Sequence, residues 1–264
     1  MKLRVQRKIT AQDLKSPIAI TGLPGIANVG KISVESLISA LGAKKLFDIY
    51  TDDLPPQVLV SKGINHVYKT SLYLYESKES EPHDLLLLIG DYQPPSSTGV
   101  FSYVDYMLNH FTSLGVISVL SLAAYEQNFE AYFDRFPEDP RIYVSGSSLE
   151  FIKEVTGESE NVITMNEGLI TGANGLFPAW ANEYYNLPSM CIMGETMSII
   201  KFDFWAARSV LSVIKKYLGL VDLDLHIFDE EVEGVKDFIK WAKTEIDKKG
   251  LSSRTRPPTD HYIG

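Results

Sequence analysis

A glycine-rich turn near the N-terminus is the stretch of this sequence with the clearest potential for chemistry. Gly25, Gly30 and Lys31 follow the spacing Gly-x-x-x-x-Gly-Lys, which in P-loop proteins arranges backbone N–H groups and a lysine around phosphate groups. Residue 32 is Ile, whereas a P-loop needs a Ser or Thr hydroxyl there to hold Mg²⁺. The spacing therefore indicates a phosphate cradle that lacks its usual metal ligand.

The same glycines also have a purely structural interpretation. Pro24 lies inside the turn and lacks the N–H group that a phosphate cradle would use. Gly22 and Gly25 suit a tight turn, and Gly30 suits a helix that packs closely on a sheet, because glycine has no Cβ. This interpretation predicts that the turn packs backbone segments together and holds no ligand.

A second glycine-rich turn spans residues 168–176 and precedes another predicted helix, where free N–H groups could bind an anion. Its glycines are Gly168, Gly172 and Gly175. Both turns precede helices that follow strands. We therefore expect the two turns to converge at one edge of the sheet, which is where α/β proteins commonly bind ligands.

Four carboxylates, Asp91, Glu167, Glu195 and Asp203, lie near predicted strand ends or turns. Such positions suit a general acid or base, and they suit helix caps and turn hydrogen bonds equally well. One hypothesis is therefore an enzyme or sensor that binds a nucleotide or phosphate at the two turns, with Lys31 as charge partner and Asp91 or Glu195 as acid or base. The sequence has neither a Gly-x-Ser-x-Gly elbow nor a His-Glu-x-x-His pair. We predict no catalytic residue, no metal and no cofactor.

Composition excludes several classes of partner. The 264 residues include 25 Lys and Arg against 34 Asp and Glu, a net charge of −9, which disfavours nucleic acid and anionic membranes. The longest uninterrupted apolar run, Leu85–Ile89, is far shorter than the ~18 residues of a membrane span. Cys191 is the single cysteine and has apolar neighbours, which predicts a buried thiol in a reducing compartment. We expect a cytoplasmic protein.

Apolar runs and helical periodicities alternate along the chain, which predicts an α/β layered fold with a central mixed sheet flanked by helices. Predicted strands are 18–21, 47–50, 57–61, 68–74, 85–89, 116–122, 141–145 and 190–193, and predicted helices are 27–41, 100–114, 148–156, 176–185, 204–218 and 228–246. We expect one α/β domain over residues 1–220 and a helical extension over 221–250. Residues 251–264 lack periodicity and are expected to form a mobile tail.

The last predicted helix carries apolar residues at alternating intervals of four and three, among them Val232, Val235 and Ile239. Such an a/d seam is typical of a helix that packs against another apolar surface. Two arrangements are open at this stage. The seam contacts a second subunit, or it packs onto the chain's own sheet.

Five segments in a fixed order resemble the proteasome assembly chaperone family, most closely its archaeal branch. They are 22–25 (Gly-Leu-Pro-Gly) with Gly30, 54–56 (Leu-Pro-Pro), 90–94 (Gly-Asp-Tyr-Gln-Pro), 168–176 (Gly-Leu-Ile-Thr-Gly-Ala-Asn-Gly-Leu) and 193–196 (Met-Gly-Glu-Thr). The resemblance extends over about residues 18–220 and includes Asp203. Because the order of the segments also agrees, we consider chance similarity an inadequate explanation.

The resemblance implies a noncatalytic domain, akin in fold to nucleoside phosphorylases, that self-associates and binds the α subunits of the 20S proteasome. It also implies that a C-terminal tail ending in hydrophobic-Tyr-any enters pockets between those subunits. In this chain the tyrosine is third from the end instead of second. The ring is therefore displaced by one residue relative to the terminal carboxylate, which is up to ~3.6 Å in an extended chain. The candidate partner contacts are Val232, Val235, Ile239, His261, Tyr262, Ile263 and Gly264. An adaptor for a different client is the remaining alternative.

Overall fold

A computed structural model describes residues 1–248 and 262–263, and within these residues the chain has an α/β fold. The strands are β1 (Lys2–Val5), β2 (Ile18–Gly22), β3 (Lys44–Tyr50), β4 (Val58–Ser61), β5 (Ile64–Val67), β6 (Thr70–Tyr75), β7 (Leu85–Gly90), β8 (Ser118–Glu126), β9 (Ile142–Gly146), β10 (Val162–Thr164), β11 (Leu169–Ile170), β12 (Ser189–Thr196) and β13 (Tyr262–Ile263). The α-helices are α1 (Val29–Leu41), α2 (Ser97–Ser113), α3 (Phe129–Arg135), α4 (Leu149–Thr156), α5 (Gly172–Tyr185), α6 (Phe204–Leu218) and α7 (Asp229–Lys248).

Nine of the described strands form one mixed sheet in the order β1-β3-β6-β7-β2-β8-β12-β9-β10. The four central strands β7, β2, β8 and β12 run parallel to one another, and antiparallel pairs flank them on both sides. This arrangement confirms the predicted mixed sheet. Because the parallel strands point the same way, the loops that follow them meet at one edge of the sheet.

Helices cover both faces of the sheet. The apolar residues of α1, α4, α6 and α7 pack on one face, and those of α2 and α5 pack on the other. Leu85–Leu88 in β7 are at most 1% exposed, which explains why this strand is apolar throughout instead of alternating. Cys191 is fully buried, and burial raises the pKa of its thiol to about 12. The predicted burial of this thiol is confirmed.

The apolar seam of α7 packs inside the chain. Val232, Val235 and Ile239 are 1%, 7% and 0% exposed, and they belong to the same core as the apolar face of α6. The assignment of these three residues as partner contacts is therefore corrected. A side chain covered by its own chain's core has no surface left for a second subunit.

The sequence analysis did not predict β1, β5, α3, β10 and β11. β1 and the β4–β5 pair are exposed along their whole length, so neither has a covered face of the kind on which strand prediction relies. Within the predicted mobile tail, Tyr262 and Ile263 pair in parallel with β11. The edge of a two-residue strand offers free N–H and C=O groups that an extended segment can use. The rest of the predicted tail lies outside the described residues.

Candidate functional site

The two glycine-rich turns meet at the carboxyl edge of the four parallel strands, as the sequence analysis predicts. The side-chain amide of Asn174, at the start of α5, joins them. Its Oδ1 accepts a hydrogen bond from the Leu23 backbone N–H at 3.1 Å, and its Nδ2 donates to the Leu23 carbonyl at 3.1 Å. Both residues are at most 1% exposed. One amide thus satisfies both backbone groups of a buried residue, which would otherwise be costly.

Gln93, in the loop after β7, forms a second bridge across the same edge. Its Nε2 donates to the Pro24 carbonyl at 2.5 Å, and its Oε1 accepts from the Ala173 backbone N–H at 2.8 Å. Ala173 lies in the first turn of α5, where a free N–H group would be available to an anion. In this structure the glutamine amide occupies that N–H group. The second turn is therefore closed by the chain's own side chain.

The glycines of the first turn allow main chain to approach main chain. A Cβ built on Gly22 would lie 2.2 Å from the Gly30 carbonyl oxygen, and a Cβ built on Gly30 would lie 2.0 Å from the Leu122 carbonyl oxygen. Those distances are far inside van der Waals contact, so any larger residue would force α1 away from β2 and β8. The structural interpretation of Gly22 and Gly30 therefore has a direct geometric basis.

The backbone between Gly25 and α1 folds into a tight turn that packs against the loop before α6. Residues Ile26–Asn28 form a short 3₁₀ turn, in which Gly25 accepts from the Asn28 N–H at 3.1 Å. Ala27 and Asn28 have φ angles of +50° and +54°, and contacts to the loop before α6 hold them there. The Ala27 carbonyl accepts from the Asp203 N–H at 2.9 Å, and Asn28 donates to the Lys201 carbonyl at 3.1 Å.

The groups that a P-loop would direct at phosphate and metal are placed differently here. The Ser33 hydroxyl is buried and donates to the Val29 carbonyl at 2.8 Å, so it cannot replace the hydroxyl missing at Ile32. Lys31 is half-buried on α1, and within residues 1–248 its side-chain ammonium group has no hydrogen bond or ion pair. The ammonium group of Lys31 therefore remains available to a phosphate.

The glycines of the second turn also allow neighbouring groups to approach the backbone closely. Gly172 has a φ of +76°, and a Cβ there would lie 2.7 Å from the Gln93 Oε1 atom. A Cβ on Gly175 would lie 2.7 Å from the Ile170 carbonyl oxygen. Gly168 has a φ of +148°, a backbone conformation that residues with a Cβ rarely adopt. At each of these positions, therefore, a glycine is needed because a Cβ would clash with a neighbouring atom or because the backbone has a positive φ.

Three of the four candidate acid and base residues, Asp91, Glu195 and Asp203, have structural partners. Asp203 is fully buried, caps α6 by accepting from the Ala206 N–H at 2.9 Å, and accepts from the Thr196 hydroxyl at 2.6 Å. Burial raises the pKa of Asp203 to about 6, although these hydrogen bonds oppose the shift. Asp91 accepts from the Lys69 N–H at 3.2 Å. Glu167 is exposed on the loop before β11.

Glu195, at the end of β12, is held by an ion pair. Its Oε2 contacts the Arg135 guanidinium and accepts from the Arg141 N–H at 3.0 Å, while its Oε1 accepts from Gln127 at 3.3 Å. With 1% of its surface exposed, Glu195 has little access to a substrate. The sequence analysis did not identify Arg135 or Gln127 as its partners, because they come from α3 and from the loop after β8.

Gln93 and Asn174 are the central residues that the sequence analysis failed to assign. Both stand inside segments that carry the family resemblance, and both are amides next to glycine or proline. The only available signal was therefore the residue type, because an amide carries both a donor and an acceptor and can join two backbone groups. Their partners lie 69 to 151 residues away along the chain, beyond the range of any local pattern.

Within the described part of the chain, no three His, Cys, Asp or Glu residues are close enough together to hold a metal ion. None of its helices is both long and apolar enough to cross a membrane. Of the candidate tail contacts, Tyr262 and Ile263 lie beside Leu169 and Ile170 through strand pairing. His261 and Gly264 lie outside the described residues.

Comparison with known proteins identifies relatives along nearly the whole chain. A family model described as the PAC2 family matches residues 19–240. Uncharacterized protein MJ1210 of Methanocaldococcus jannaschii is 25% identical over 264 residues, which cover 98% of this chain and 97% of that protein.

Solved structures agree with this result. The structure of Pyrococcus furiosus PbaB, described as an archaeal proteasome activator, matches with a TM-score of 0.80 and 27% identity over 92% of this chain and 98% of that chain. Pyrococcus furiosus PbaA, described as an archaeal homolog of proteasome-assembly chaperone, has the same fold with a TM-score of 0.69 and 23% identity over 94% of each chain. The predicted fold class is confirmed.

Proposed function

Because this chain belongs to the PAC2 family, we propose that it is a noncatalytic proteasome assembly chaperone homologue that self-associates and binds the α subunits of the 20S proteasome. The observation that carries the proposal is the similarity to PbaB, which extends over 98% of that chain at a TM-score of 0.80. PbaB is described as a proteasome activator and PbaA as a homologue of proteasome-assembly chaperone. A proteasome client is therefore the hypothesis that best accounts for both relatives.

The two glycine-rich turns meet in a crevice at the carboxyl edge of the four parallel strands, and the groups in this crevice support a noncatalytic role. Gln93 and Asn174 bridge its loops, and Glu195 and Asp203 have partners in the fold. A general acid or base must reach a substrate atom within hydrogen-bond distance, and buried, paired carboxylates do not have that access. The chain is better suited to present surfaces and termini to other proteins than to transform a small molecule.

We further propose that the C-terminal tail makes the contact with the α subunits. Residues 251–264 contain two prolines and no helical periodicity, a composition that suits an extended segment able to enter a pocket. On docking, Tyr262 and Ile263 would exchange their pairing with β11 for contacts in that pocket. Several identical tails on one oligomer raise the effective concentration of each, so that a tail with a displaced tyrosine can still bind. The contact would then depend on both Tyr262 and self-association.

Binding to immobilised 20S proteasome, measured by surface plasmon resonance, tests this proposal. We expect the chain shortened to residues 1–250 to bind about 100-fold more weakly than the full chain, because it loses every tail contact and the avidity with it. Tyr262→Ala is expected to weaken binding about tenfold. Thr259→Ala, in the same tail, is the matched control and should bind like the full chain.

Two outcomes would contradict parts of the proposal separately. If the shortened chain binds as tightly as the full chain, the contact lies on the folded surface and the role of the tail is wrong. If the full chain shows no binding to the assembled proteasome or to isolated α subunits at micromolar concentrations, the proteasome client itself is wrong, and an adaptor for another client becomes the better hypothesis.

A further inference from the structure

The β4–β5 hairpin extends from the body of the chain without support. Its strands Val58–Ser61 and Ile64–Val67 pair antiparallel with each other in a separate two-stranded sheet. All eight residues of these strands are exposed. A two-stranded hairpin alone is at best marginally stable in water. The hairpin thus has the properties of an element that another molecule completes.

One face of the hairpin is a cluster of valines. Val58 pairs directly with Val67, and Val60 lies two residues along on the same face. The three side chains are 55%, 54% and 69% exposed, respectively. On the opposite face Ile64 is 62% exposed. Contiguous exposed aliphatic side chains of this kind mark interaction surfaces rather than ordinary solvent-facing strands.

The apolar surface continues at the root of the hairpin. A cavity of about 620 Å³ opens there, with Leu54, Pro55 and Tyr68 among its lining residues. Met1 and Lys2 also line the cavity, and β1, which begins at Lys2, is an exposed strand at the edge of the large sheet. Residues 1–5 and 54–68 together make twenty residues, close to the roughly 20–30 residues that each partner contributes to a standard interface.

The distribution of charge indicates which molecule covers this surface. The chain has a net charge of −9, yet residues 54–68 contain no Asp or Glu and a single charged residue, Lys62, and residues 1–5 add only the bases Lys2 and Arg4. Asp52 lines the adjoining cavity and is the acidic residue nearest to the hairpin root along the lining. Two copies of an acidic chain repel each other, so they associate best through a region without acidic residues. The hairpin is such a region, and an aliphatic face can bury itself against another copy without leaving any charge unpaired.

We propose that the valine face of the β4–β5 hairpin packs against a second copy of this chain and is the surface through which the chain self-associates. This inference rests on the self-association in the proposed function and identifies its surface. The valines are buried in the assembly, and the hairpin gains there the packing that the single chain does not provide. Subunits joined in this way carry several tails at once.

The molar mass in solution tests the inference, measured by light scattering after size-exclusion chromatography over a range of concentrations. Val60→Asp places a carboxylate in the proposed contact, and we expect at least a 100-fold rise in the dissociation constant of the assembly, giving monomer at micromolar concentration. Val221→Asp is the matched control, because Val221 is 79% exposed and lies far along the chain from the hairpin. This control should keep the wild-type mass.

A second variant and a folding measurement distinguish loss of the contact from unfolding of the protein. Ile64→Asp alters the opposite hairpin face, and circular dichroism of all variants should be unchanged because none of these side chains belongs to the core. If the wild type assembles and Val60→Asp retains its mass, the valine face is wrong as the contact, whatever the mass of Ile64→Asp, while self-association stands. A monomeric wild type overturns self-association as well. If Val60→Asp keeps the oligomer and loses binding to the proteasome, the hairpin contacts the client, which also overturns the inference.

Discussion

Replacing Gly30 with alanine is expected to lower the free energy of unfolding by about 3 kcal/mol or more. The new Cβ would lie 2.0 Å from the Leu122 carbonyl oxygen and 2.9 Å from its carbonyl carbon. These are backbone atoms in the middle of the sheet, so they cannot move aside as a flexible side chain would. The helix α1 would have to withdraw from β8, which would separate packed apolar residues on both elements. Urea unfolding followed by circular dichroism measures the change.

Gly234→Ala is the matched control for this prediction. Gly234 lies inside α7, and a Cβ there would have no neighbour within 4 Å. We expect this substitution to stabilise the protein by about 1 kcal/mol, because alanine loses less backbone entropy in a helix than glycine does. The same substitution is therefore expected to lower the free energy of unfolding at position 30 and to raise it at position 234. A Gly30→Ala variant as stable as the wild type would contradict the close packing of α1 on the sheet.

Asn174→Leu is expected to cost about 2–4 kcal/mol of stability, because it leaves two buried backbone groups without partners. Leucine has the same branching pattern as asparagine, although its methyl groups are bulkier, but it can neither accept from the Leu23 N–H nor donate to the Leu23 carbonyl. Leu23 is fully buried, so water cannot replace the lost bonds. Thermal unfolding combined with urea titration measures the loss.

Asn182→Leu, in the same helix, is the matched control for this second prediction. Asn182 is partly exposed and bonds only weakly, at 3.4 Å, to its neighbour Glu183. We expect a change within about 0.5 kcal/mol. Equal effects at both positions would show that the asparagine amide does not join the two turns, and would leave the crevice open to a ligand.

The sequence was sufficient for features that depend on local pattern. The unbroken apolar run in β7 identified a strand buried on both faces, and the glycine spacing identified both turns that meet at the sheet edge. The seam of α7 was also recognised, but Val232 and Ile239 were equally compatible with a neighbouring subunit. Only the position of α6 beside them decides the question, because a helix pattern shows which face is apolar and not what covers it.

The residues that close the crevice could not be predicted in the same way. Asn174 and Gln93 act through single side-chain hydrogen bonds to loops far away in sequence, and such bonds leave no periodic trace. The second strand of the β4–β5 hairpin was not predicted, for a different reason. Strand prediction relies on one covered face, whereas both faces of this hairpin are exposed within the single chain.

The central claim is that the carboxyl-edge crevice is filled by the protein's own groups and holds no reactant. Isothermal titration calorimetry with millimolar ATP or inorganic phosphate tests it most directly, with Lys31→Ala as the companion variant. We predict no saturable heat for the wild type and identical traces for the variant, because Gln93 already occupies the Ala173 N–H. Saturable binding to the wild type that disappears in Lys31→Ala would contradict the claim and would establish the two turns as an anion site.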